Sequence, residues 1–147
     1  MSQNIFSLCL VLLLGVELVL GSASEEDGPL PPGMFKILYP KLTKEQAKKC
    51  IDETGVSRTD FESSRSGNEP NSKELCFARC MVLASGALTK DGEIVPDQIK
   101  ENAPKFLVGN ALDDAVTCLE AIQDKIVTCE DMKKMKKCIP KPPRRPE

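Results

Sequence analysis

Seven cysteines are the residues of this chain best placed to do chemistry, and no histidine accompanies them. Without an imidazole there is no Ser–His or Cys–His pair to activate a nucleophile, and no histidine ligand for a metal. Carboxylates are plentiful, but they fall on the polar faces of the helices predicted below and read as solvated surface. The cysteines themselves could serve redox exchange, zinc binding or structural cross-linking. Redox exchange favours a C-x-x-C pair, and the chain has none. Cys76-x3-Cys80 with Cys129-x8-Cys138 is a poor match to paired zinc knuckles. The reading is therefore non-enzymatic, with no cofactor and no metal, and cross-linking is what remains.

The amino-terminal segment points the same way. Phe6 to Val16 is an apolar run of signal-peptide length, too short to cross a bilayer and followed by Glu17. Small residues, Gly21-Ser22-Ala23-Ser24, supply a cleavage site. No Lys or Arg precedes the run, so the amino terminus must provide the positive charge; a retained anchor is the alternative. Residues 1–23 are accordingly expected to be a signal peptide, and the mature chain to be secreted. Cleavage removes Cys9 and leaves Cys50, Cys76, Cys80, Cys118, Cys129 and Cys138, an even set that argues for three disulfides. It also removes Glu17, which moves the formal net charge from −2 to −1. A nearly neutral chain is not steered to nucleic acid or to anionic membranes. About 124 residues remain, enough for one domain, and no later stretch is apolar enough for stable membrane insertion.

The elements that must position the cysteines are helical. Leu75 to Ala84 is apolar in nearly every direction around a helix, with Arg79 its only charge, so it is expected to be the buried central helix. Cys76 and Cys80 lie one turn apart on it and share a face. Ser72 is its expected cap. Thr43-Lys44-Glu45-Gln46 is a capping-box pattern that opens a first helix ending at Gly55. Thr59 is expected to cap a short second one. Pro96 suits the first turn of a fourth, which Pro104 bends or ends. Leu112, Ala115, Val116, Leu119 and Ile122 form the clearest amphipathic stripe, over residues 110–125. Thr128 caps a last helix whose Lys133, Lys134, Lys136 and Lys137 read as a solvated face rather than a nucleic-acid patch. Asp91-Gly92 raises a calcium loop or a hairpin; the acid spacing is wrong and helices flank it, so both are discounted. Residues 24–41 read as an irregular, loosely packed arm, and 140–147 as a stiff Pro-rich basic tail. The sum is an all-α domain of about six helices over residues 42–139.

Spacing restricts the cross-links without settling them. Cys76 and Cys80 cannot pair across a regular helical turn without strain, and Cys129 and Cys138 fall on opposite faces of a continuous helix. Each should reach a different partner, and several pairings stay open.

The whole pattern, Cys50-x25-Cys76-x3-Cys80-x37-Cys118-x10-Cys129-x8-Cys138, resembles the insect odorant-binding proteins in their six-cysteine pheromone-binding and general odorant-binding form. Cys80-Met81-Val82-Leu83-Ala84-Ser85-Gly86 and Lys90-Asp91-Gly92-Glu93-Ile94 look like that family's segment after its third cysteine. The resemblance implies an interlocked pairing, Cys50 with Cys80, Cys76 with Cys129 and Cys118 with Cys138. It implies a compact six-helix fold enclosing an apolar cavity for small hydrophobic molecules. In some members an apolar carboxy-terminal segment plugs the cavity, and in some moth members release at low pH leans on histidines. Here the tail is Pro-rich and basic, and histidine is absent.

The function implied is a secreted carrier of odorants, pheromones or similar lipophiles. Burying about 300 Å² of apolar ligand surface gains several kcal/mol before association costs, which suits micromolar affinity. Phe61, Met81, Leu88, Phe106, Leu107, Val116, Met132 and Met135 are the side chains expected to line the cavity, with Ser85, Thr89 or Tyr39 offering an orienting hydrogen bond. An olfactory receptor and a second copy of the chain are further candidate partners. The runner-up is a venom, salivary or seminal protein that uses this scaffold to bind another protein through its arm. A saposin-like lipid module fits less well, because its cysteines cluster differently.

Overall fold

The computed structural model describes residues 28–30 and 33–142. The expected signal peptide, residues 1–23, the acidic start of the arm and the end of the tail lie outside the described residues.

Seven helices follow one another there: α1 Met34–Leu38, α2 Lys44–Thr54, α3 Arg58–Arg65, α4 Ser72–Ala84, α5 Pro96–Asn102, α6 Asn110–Glu120 and α7 Met132–Cys138. The protein is all-α, as expected. The helix beyond the six expected is α1, which sits inside the segment read from sequence as irregular. Gly33, at φ 82°, turns the chain into it, and no breaker interrupts it before Pro40. A single turn and a half does not persist alone in water. Packing holds it: Leu30, Phe35, Tyr39 and Leu42 lie against the core, and the Lys105 amide donates to the Ile37 carbonyl at 2.9 Å. The described part of the arm is therefore packed on the core rather than loose.

Three helices open on reciprocal capping boxes, Thr43 with Gln46, Ser57 with Asp60 and Asn71 with Glu74. The caps of α3 and α4 fall just before the expected Thr59 and Ser72. In each case the earlier residue has an acid at the third helical position to complete the box. Thr128 and Asp131 make a box as well, but around a turn; regular α7 begins at Met132. Pro96 stands in the first turn of α5, which ends before Pro104.

α4 is central, packing on α2, α3 and α7. Its side chains divide between two apolar clusters. Phe77 and Met81 join Ala47, Cys50 and Val56 on the α2 side. Leu75, with Ala78, Val82 and Leu83 beside it, joins Leu88, Ile99, Val116, Leu119, Ile126, Met132 and Met135 on the α5–α7 side. The three disulfides are Cys50–Cys80, Cys76–Cys129 and Cys118–Cys138, with Cα atoms 5.6, 4.7 and 5.5 Å apart. They tie α4 to α2, α4 to the entry of α7, and α6 to the end of α7, the interlocked arrangement the resemblance implied. The discounted hairpin is present in its smallest form, one antiparallel bridge between Leu88 and Ile94. Gly92 at its tip accepts from the Ile126 amide at 2.8 Å and has φ 86°. A Cβ there would stand 2.9 Å from the Ile126 nitrogen, so backbone approach and dihedral both require glycine. Among the described residues no helix is long and apolar enough to cross a membrane.

Candidate functional site

The two clusters do not fuse. Between them lies a cavity of about 670 Å³, walled by residues of both. α4 shows why. Leu75, Ala78, Val82 and Ser85 recur at helical spacing and form the stripe that faces the space. Ala78 and Ser85 are small, so the stripe leaves room that larger side chains would fill. The Leu30, Tyr39, Leu42, Phe61 and Phe77 side chains make one wall. Phe61 and Phe77 stack edge to face with ring centroids 5.6 Å apart, which fixes both rings. Ile99, Leu107, Leu119, Met132 and Met135 make the other wall. α1 closes one side with the 103–107 segment, to which the Lys105–Ile37 hydrogen bond joins it.

Of the eight side chains expected to line a cavity, Phe61, Phe106, Leu107, Met132 and Met135 do. Met81, Leu88 and Val116 do not. Met81 is fully buried in the α2-side cluster, beside the stripe on α4, and does not reach the space. Leu88 and Val116 are solid core under the Leu88–Ile94 bridge and on α6, where only Leu119 reaches the space. Sequence reasoning missed the contribution of the arm, Leu30, Met34 and Leu38. The Leu75–Ala78–Val82 stripe was detectable as a helical period, but a helix apolar all round gives no sign of which face meets a void.

The polar groups in the wall are few. Ser85 donates its hydroxyl to the Val82 carbonyl at 2.8 Å, and Asn102 Nδ2 donates to the Gln98 carbonyl at 2.8 Å. Glu74 is buried, but Ser64 Oγ donates to one oxygen at 2.6 Å and the Asn71 amide to the other at 3.0 Å. Thr89 is occupied in the bridge turn, accepting from the Glu93 amide, and is not in the wall. Tyr39 is in the wall, and burial pushes its phenol up to about 12. At neutral pH it is a neutral donor in apolar surroundings.

The cavity is not sealed. Exposed residues at its edge, Lys41, Arg65, Lys136, Lys137 and Pro140 to Pro142, mark a mouth. The segment after α7 thus borders the opening, though it lacks the apolar character of a plug. Among the described residues no cluster of His, Cys, Asp or Glu could hold a metal ion. The geometry can accommodate and desolvate an apolar molecule.

No curated protein and no solved structure matches the chain. A family match covers residues 38–141, well over half of the sequence, including all six paired cysteines and both cavity walls from Leu38 onward. The chain belongs to the PBP/GOBP family, the pheromone-binding and general odorant-binding proteins.

Proposed function

We propose that this protein is a secreted carrier that takes a small hydrophobic molecule, such as an odorant or pheromone, into the cavity between its two apolar clusters and moves it through aqueous fluid. The observation that carries this reading is the cavity of about 670 Å³ with walls of Phe, Leu, Ile and Met. That volume lies in the usual range for small-molecule sites. Tyr39 is the donor best suited to orient a hydroxyl or carbonyl, because its half-buried phenol lies in the wall and stays protonated. Methionines at 34, 132 and 135 let the wall adapt to several ligand shapes. Family membership and three disulfides support an extracellular setting.

The test is a titration of oxidised residues 24–147 with N-phenyl-1-naphthylamine, followed by displacement with volatile alcohols, esters and terpenoids. Saturable micromolar probe binding with displacement supports the carrier. No saturable binding at concentrations below the solubility of the probe would falsify it. Because the arm contributes Leu30, Met34 and Leu38 to the wall, its deletion should abolish ligand binding.

A further inference from the structure

We infer that the cavity prefers a long-chain anionic amphiphile, a fatty carboxylate, with its head among cations at the mouth and its chain along the apolar wall. This deepens the carrier reading and rests on it.

Lys41, Arg65, Lys136, Lys137 and Lys141 all border the cavity, and all five are exposed. Among the described residues, one acidic side chain, Glu74, borders it with them. The chain as a whole has 22 acidic and 20 basic residues, so five cations against one anion is a local departure, not a reflection of composition. Glu74 does not cancel it. Its oxygens are taken by Ser64 Oγ and the Asn71 amide, and it stands in the first turn of α4, where the helix dipole favours a carboxylate.

α7 supplies an internal comparison. Lys133 pairs with Glu130 at 2.9 Å, and Lys134 with Asp124 at 2.9 Å; neither borders the cavity. Lys136 and Lys137 do border it. Among the described residues, none of the five mouth cations lies within 4.0 Å of a carboxylate. The basic helix is thus divided into a neutralised part and a part that meets the opening. Long Lys and Arg stems can cover apolar ligand while their charged ends stay in water. A carboxylate at the mouth then gains several weak attractions without either charge being buried, which avoids the desolvation penalty of an internal ion pair.

The experiment displaces N-phenyl-1-naphthylamine from the oxidised protein at low ionic strength and pH 8 with dodecanoate, methyl dodecanoate and dodecanol. These share a chain and differ in head charge. Several exposed pairings together should make dodecanoate about fivefold tighter or more than its ester. That preference should shrink when ionic strength is raised to about 0.5 M. The triple variant Lys136→Gln/Lys137→Gln/Lys141→Gln should lose the preference, its ratio of acid to ester affinity falling to about one. The variant Lys133→Gln/Lys134→Gln, which removes two positive charges from the same helix, should keep the preference. If the acid binds no tighter than the ester, or if both variants lose the preference alike, the inference is overturned while the carrier reading stands. If the probe itself does not bind, both fall.

Discussion

Cutting the Cys118–Cys138 disulfide should harm ligand binding more than its stability cost suggests. The bond closes a sequence separation of 20 residues, against 53 for Cys76–Cys129 and 30 for Cys50–Cys80. In the chain-entropy model these lengths correspond to about 3, 4 and 3.5 kcal/mol respectively. The shortest closure is thus the least stabilising of the three. Yet it anchors the end of α7, whose Met132, Met135, Lys136 and Lys137 form wall and mouth. Its removal by Cys118→Ser/Cys138→Ser leaves α7 tied only at its start, through Cys129. The expected outcome is a loss of about 3 kcal/mol in urea unfolding. Probe affinity should fall at least tenfold under conditions where the far-UV spectrum is still native. Cys76→Ser/Cys129→Ser should cost about 1 kcal/mol more in stability. A double variant at 118 and 138 that keeps full probe affinity would refute the argument that bracketing α7 at both ends builds the cavity.

Gly92→Ala should destabilise by about 2 kcal/mol or more in urea unfolding, since it combines a disfavoured dihedral with a Cβ 2.9 Å from the Ile126 nitrogen; a neutral result would mean the 92–126 contact is not made. Glu74→Ala should cost about 1–3 kcal/mol, because it removes half of a capping box and leaves Ser64 and the Asn71 amide without their acceptor. Tyr39 is the only tyrosine and the chain has no tryptophan, so phenolate absorbance reports it alone. The folded phenol should titrate near 12 and the unfolded one near 10. Between those values the unfolded chain has lost its proton and the folded one has kept it, so stability falls as pH rises from 10 to 12. The loss should reach about 2–3 kcal/mol and be absent in Tyr39→Phe; a native-state midpoint near 10 would place the phenol in water instead.

Much of the fold could be read from local rules. The capping box at Thr43, the apolar central helix, the stripe from Leu112 to Leu119 and the proline that opens α5 are each set by neighbours a turn away. The interlocked disulfides were not fixed by spacing; they were implied by the family resemblance, and α2, α6 and α7 meet their partners as it implied. What escaped was set by distant parts of the chain. α1 lacks the length to persist alone and exists because residues 103–107 and the α2-side cluster hold it. The cavity wall was less legible still. Leu107 and Val116 are alike in sequence terms, yet one meets the void and the other solid core. A void arises where small side chains such as Ala78 and Ser85 oppose each wall, and periodicity marks a buried face without saying what lies beyond it.

The most direct measurement of the central claim uses the methionines. A chain of residues 24–147 labelled at the methionine methyl carbons carries Met34, Met81, Met132 and Met135. Three of these border the cavity, while Met81 is fully buried in the α2-side cluster and does not border it. Nuclear Overhauser contacts from a bound apolar ligand should reach the methyls of Met34, Met132 and Met135 and miss that of Met81. A ligand that touches Met81 first, or none of the four, would contradict a binding space between the two apolar clusters.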